Sequence, residues 1–284
     1  AEKASSRCRI CADSCRFRSV CAGTCRQCCL DGTPAARGAR EGDGDAAGGA
    51  EGVYSAVAGT KGGSRGAGAI EVYPIQPKDK LQSDPCRLPQ EQMRDADAYC
   101  KWLGSVVDGK PIPSTDRARA SVSCLGIAQD HHQAIVVLLS VGVYASCFAL
   151  LRVEFEAYVR GEWLAHCATE AQVEAFLGGE EPPKLKGLLC ALEQREDFGN
   201  GHLSAVKQSY WNAMCGYTHT GGIHVQRWNT DEGIHPAYDP AELLEVLRFA
   251  EGVSTLAAMG ILSVANDVEG RERLLSRYRS RVAT

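Results

Sequence analysis

Apolar residues after about residue 91 recur every three to four positions in long runs, and no stretch alternates as a strand would. Met93–Val107 is short and amphipathic, and the turn chemistry of Asp108-Gly-Lys-Pro-Ile-Pro113 must end it. Ser114 or Thr115 then caps a long helix with Asp116 in its first turn and Gly142 placed as its stop. A second long helix is expected from about Tyr144 to Ala168. Thr169 caps a short one, and the Pro182-Pro183 pair suits the start of another. From His202 to Thr218, Leu203, Val206, Tyr210, Met214 and Tyr217 form a stripe that needs a partner. A Gly- and aromatic-rich loop follows, Asp239-Pro240 opens another long helix, and residues 267–282 close the chain as an Arg-rich one. The pattern predicts an all-α bundle of about six to eight helices over residues 91–284.

Residues 1–90 differ in kind. Seven of the 14 Cys fall in the first 29 positions, and Gly and Ala dominate from Gly32 to Ala69, a composition too poor in large apolar residues to offset ordering entropy. The first methionine is Met93, where ordinary globular sequence begins. Residues 1–90 are therefore expected to be disordered, as a native tail or as a non-native extension. Cys21, Cys25 and Cys28 have the C-x3-C-x2-C spacing of a radical S-adenosylmethionine cluster loop, but no α/β barrel pattern follows them. Four of the seven thiolates would suffice for a zinc knot. The later cysteines are scattered singly and read as reduced, mostly buried thiols.

The whole chain is 44% hydrophobic and 23% charged with a formal charge of -4, so no global pull toward nucleic acid or an anionic membrane exists. Gln133–Leu151 lacks charge over nearly the length of a membrane span. Ser140-Val-Gly142 interrupts it, and two buried helices meeting at Gly142 explain it better. A cytoplasmic protein with no membrane partner is expected.

The helix around residues 150–166 carries the candidate chemistry. Arg152, Glu154, Glu156, Arg160 and Glu162 interrupt apolar sequence; Arg152, Glu156 and Arg160 stand at i, i+4, i+8, and Glu162 with His166 at i, i+4. They either form an internal ion-pair ladder or line a cleft. Arg160-Gly-Glu-Trp-Leu-Ala-His166 also fits the R-x4-6-H pattern of HEPN ribonucleases, as does Arg195 to His202, although residues i and i+6 lie about 120° apart on a helix. In that chemistry His166 would take the ribose 2′-OH proton and Arg160 would neutralise the phosphorane. The turn Tyr217-Thr-His-Thr-Gly-Gly222 either brings His219 to face the charged helix or is a plain C-cap with Gly221 left-handed. His131, His132, His219, His224 and His235 admit a metal-binding reading, although Glu232-Gly-Ile-His235 is the one E-x-x-H match and lies in a loop. The Arg-rich C-terminal helix either meets phosphates or complements its own dipole.

The segments ADAYCKWLG, PIPSTDRARASVSC, AQDHH, YASCFALLRVEFEAYVRGEWL and YTHTGGIHVQRWN together resemble a family of uncharacterised bacterial proteins known only as a domain of unknown function, from about Asp95 onward. That resemblance implies a cytoplasmic helical protein without assigned catalytic residues. An R-x-x-x-E helix followed by a Y-x-H turn is also similar to HEPN-like defence proteins. Three readings stand at this point. One is a metal-independent RNase acting on RNA, as a single chain or as a homodimer, built on Arg152, Glu156, Arg160, Glu162, His166 and His219. The others are a non-catalytic interaction protein whose charges are structural, and a His-based metal bundle. None of the motifs names a cofactor.

Overall fold

A computed structural model describes residues 86–283, all within the unit Arg65–Thr284. What the sequence suggests for residues 1–85, the cysteine motifs included, lies outside the described residues. Nine α-helices follow one another: α1 (Gln90–Val107), α2 (Asp116–Ser140), α3 (Tyr144–His166), α4 (Glu170–Leu177), α5 (Leu185–Glu193), α6 (His202–Thr218), α7 (Gly222–Gln226), α8 (Pro240–Val264) and α9 (Val268–Val282). Among the described residues no β-strand forms, and the fold is an all-α bundle.

Among the described residues, four of the nine α-helices start at a side-chain N-cap. Thr115 accepts from the Ala118 amide, Asp239 from Ala241 ahead of Pro240, and Asp267 from Gly270. Thr169 and Gln172 form a reciprocal capping box at α4. Thr169→Ala is expected to cost about 1 kcal/mol, checked by chemical denaturation, with no change elsewhere in the bundle.

Gly142 takes φ 75° between α2 and α3, so the uncharged run is two helices of an antiparallel hairpin. α8 is by length and composition apolar enough to cross a membrane, and 67% of its apolar window is buried inside the bundle, as a central helix requires.

Three expectations are corrected. The loop after α6 holds a short helix, α7, making the count nine. The Pro182-Pro183 pair lies outside α5, which is entered through extended Lys184. Gly221 is extended (φ -68°, ψ 172°), and Thr220 instead takes the left-handed conformation at φ 54°. Glycine is needed at 221 for close approach: an added Cβ would lie 3.1 Å from the Gly216 Cα, where the Gly221 amide donates to the Gly216 carbonyl.

α2 is the hub of the bundle, packing most extensively on α3, then on α8 and α1. Leu125, fully buried on α2, fills the space left by Gly161 on α3 and by Gly260 on α8, where a Cβ would collide with Leu125 and, at 260, also with the Glu162 carboxylate. A second cluster joins Tyr99, Leu103 and Val106 of α1 to Ala258 and Leu262 of α8 and Leu274 of α9. Arg281 of α9 closes it, paired to Asp95 and Glu251 at 2.6 Å each and lying over the Tyr99 ring. That arginine of the basic helix is thereby used for packing.

Candidate functional site

The charges of α3 divide between two faces, because residues four apart share a side of a helix and residues six apart do not. On one face the Arg152 Nε donates to Glu156 Oε1 at 2.8 Å, and the Arg160 Nη2 donates to Glu156 Oε2 at 3.0 Å. On the other, the His166 Nε2 lies 3.3 Å from Glu162 Oε2. Glu162 is buried against Gly260, and His166 packs on Phe198 while its carbonyl accepts from Arg195. The structure therefore brings Arg152, Glu156 and Arg160 together and leaves Glu162 and His166 as a separate pair.

His219 joins the first group. Thr218, at the end of α6, donates its hydroxyl to the Ala149 carbonyl of α3 at 3.2 Å and to Met214 within α6 at 2.8 Å, and Tyr217 packs edge-on against Phe148. Those contacts fasten the end of α6 to α3 and set His219, its C-cap, beside the charged face. Arg152 Nη1 meets His219 Nε2 at 2.7 Å, a pair formed across 67 residues of sequence. A guanidinium donates only, so Nε2 accepts and the ring proton resides on Nδ1. His219 is exposed, whereas the Arg152 and Arg160 side chains retain 24% and 35% of their accessibility. Chemically this is a neutral imidazole and two guanidiniums, held by one carboxylate and open to solvent.

Trp211 of α6 is the neighbour that the sequence did not single out. The Arg152 guanidinium lies 4.8 Å from its ring centroid and the Lys207 ammonium 5.5 Å. Lys207 also lines, with Lys186, Leu189, Ser204 and Gln208, a shallow cavity between α5 and α6. The i, i+4 spacing of Lys207 and Trp211 was the available signal.

Two polar side chains of α2 and α3 are fully buried without a hydrogen-bond partner. Glu154 is fully buried with neither carboxylate oxygen hydrogen-bonded, and burial pushes its carboxyl well above the usual value. His132 of α2 is likewise fully buried with both ring nitrogens unpartnered. Burial, and then the Arg281 charge, hold it down at about 4. Glu154 stands two turns before Gly161 on α3 and His132 two turns after Leu125 on α2. Leu151, Phe155 and Tyr158, on the same helical face as Glu154, were the available signal for its burial.

Among the described residues no group of three or more His, Cys, Asp or Glu is placed to hold a metal ion, and His131, His132, His219 and His224 do not form such a group. His224 instead donates from Nδ1 to the Tyr217 carbonyl at 2.9 Å, holding α7 on the end of α6.

The class these observations define is a helical bundle with a mixed Arg, Glu and His cluster on its central hairpin. The chain belongs to a family of unknown function, DUF6988, whose model matches residues 125–281. The match starts at Leu125 rather than near Asp95, and spans α3, the α6 turn and α9. No curated protein and no solved structure matches the chain.

Proposed function

We propose that the chain cleaves RNA without a metal ion, at the exposed face where Arg152, Glu156, Arg160 and His219 meet. The observation that carries this reading is the 2.7 Å Arg152–His219 pair, which sets a neutral imidazole beside a guanidinium on an accessible surface. In this reading a scissile phosphate draws the Arg152 guanidinium onto its oxygens and so releases His219 Nε2. That nitrogen takes the proton from the adjacent ribose 2′-OH. The 2′-oxygen attacks phosphorus, the bond to the 5′-oxygen breaks, and the departing oxygen takes a proton from solvent, leaving a 2′,3′-cyclic phosphate and a 5′-hydroxyl. Arg152 and Arg160 offset the charge that develops on the phosphorane, with Glu156 keeping their side chains in place. Trp211 offers an aromatic edge to a neighbouring base, and Lys207 and Lys186 extend the cations toward flanking phosphates.

This assigns the base to His219 instead of His166, whose partner Glu162 is buried on the other face. A second reading is favoured by the closure of the Arg152–Glu156–Arg160 ladder and by its absence from the cavity between α5 and α6: the charges serve to lock α6 on α3. A 5′-labelled single-stranded RNA incubated with the full chain in EDTA separates the two. Fragments ending in cyclic phosphate, absent when every ribose is 2′-O-methylated, are the expected result. RNA left intact by excess protein would overturn the proposal in favour of the structural ladder.

A further inference from the structure

Helix α9 turns Gly270 and Leu274 into the bundle, with half-buried Tyr278 and Arg281 on the same side. Leu275 stands one position, and so about 100°, round from Leu274. Val268, Leu275 and Val282, seven residues apart, keep to one line along the helix, drifting only about 20° per step. They are 56%, 40% and 63% exposed. The neighbouring helix extends the patch. Arg281 pairs with Glu251, and a Cβ at Gly252 would meet the Tyr278 hydroxyl at 3.3 Å, so α9 runs back along α8 and exposed Leu256 is level with Leu275. A line of aliphatic side chains on a solvent-facing helix is a surface that association would cover.

Charge on its flank says what covers it. Glu272 lies four residues after Val268 and Arg279 four after Leu275, so both stand on one flank of the line. Both are exposed and in no ion pair among the described residues. Reversing the helix about Leu275 reproduces the pattern. Positions 268 and 282 exchange, Leu275 meets its own copy, and Glu272 comes within one residue, about 1.5 Å of helix rise, of the level of Arg279. A two-fold axis perpendicular to the helices sets like flanks face to face, so the acid of each copy meets the base of the other, twice. The helix dipoles also oppose one another in that arrangement. A parallel pair would leave Arg279 beside Tyr278 of the other copy, with no acid to meet it. An anionic lipid surface would face Glu269 and Glu272 uncompensated, and an RNA backbone offers nothing to the aliphatic line.

We propose that α9 is the contact face of a two-fold dimer of this chain, in which the two α9 helices run antiparallel, Leu275 sits on the axis, Val268 lies against Val282, and Glu272 pairs with Arg279 of the second copy. A helix of 15 residues is about 22 Å long, so the interface is small and the dimer transient, with a dissociation constant of about 1–100 µM. The dimer is independent of the RNA-cleaving reading, whose residues lie on α3 and at the end of α6.

Sedimentation equilibrium of the full chain from about 1 to 300 µM is expected to show a monomer–dimer equilibrium. Leu275→Lys should stay monomeric throughout while keeping its helical content by circular dichroism; should it fail to fold, Val282→Lys at the more exposed end of the line takes its place. Glu272→Arg and Arg279→Glu, both at exposed positions, should each weaken the dimer at least about tenfold by setting like charges opposite one another. Combined, they exchange acid and base, and the double variant should return to within about threefold of wild type. A parallel pair, in which position 272 faces Arg271 of the other copy, would not be rescued in this way. Three results would overturn the proposal: a dimer that survives Leu275→Lys, a double variant no tighter than its parents, or a chain still monomeric at about 300 µM, including one that instead floats with phosphatidylserine vesicles.

Discussion

Glu154→Leu is expected to make the protein more stable at pH 7, by about 1–3 kcal/mol in urea denaturation, although it replaces a fully buried residue of α3. Both Glu154 oxygens are buried without a partner, so the folded chain carries the desolvation of a carboxyl group without a hydrogen bond to offset it. Leucine replaces the group with one that suits Leu151, Phe155 and Tyr158 around it. The pH dependence gives the sign independently. The folded carboxyl is raised above its ordinary value of 4.5, so above that pH the folded state holds a proton that the unfolded state has released. Stability from this group is greatest below about pH 4.5 and is lost as pH rises toward the folded value. Glu154→Leu should remove that alkaline-side decline.

His132 acts in the opposite direction. Its value in the fold is lowered to about 4 from 6.5, so between those values the unfolded state binds the proton and the folded state does not. Stability is retained above pH 6.5 and lost as pH falls to about 4, by about 3 kcal/mol from this group alone. His132→Leu should flatten the acid limb and leave the alkaline limb in place. Urea midpoints of the wild type and both variants from pH 4 to pH 8 check the pair. Parallel pH profiles in all three proteins would contradict the assignment.

Arg152→Ala carries the largest expected effect on activity. Arg152 is the one side chain that touches Glu156, His219 and Trp211, so its loss removes a phosphate ligand and the partner that orders the imidazole. Cleavage of the labelled RNA should fall by about 10²–10³-fold, the range seen when one preorganised donor to a developing anion is deleted. Arg152→Lys should restore little, since an ammonium cannot serve the planar fork that reaches Glu156 and His219 together. Helical content should be unchanged in both variants, because the half-buried side chain contacts Glu156, His219 and the edge residue Trp211 and no fully buried residue of the bundle. A variant that unfolds would instead favour the structural-ladder reading.

Local chemistry carried most of the fold. Thr115, Thr169 and the Asp239-Pro240 pair each mark a helix start, and Gly142 marks a break, because capping and left-handed turns depend on a few adjacent residues. α7 was not legible: five residues opened by glycines have no apolar period to read, and the need for Gly221 comes from the backbone of Gly216 beside it. The Arg152–Glu156–Arg160 ladder was legible from i, i+4 spacing. That His219 completes it could be posed from the two motifs but not decided, since it depends on Thr218 and Tyr217 fastening α6 to α3. Arg160 and His166 matched a sequence spacing, and the helix turned them to different faces.

The most direct test of the functional account compares His219→Ala with His166→Ala in the EDTA cleavage assay, using the full chain and the same RNA. The account predicts that His219→Ala loses at least about 100-fold while His166→Ala stays within a few-fold of wild type. Activity lost with His166 and kept without His219, or no cleavage by the wild type, would contradict it.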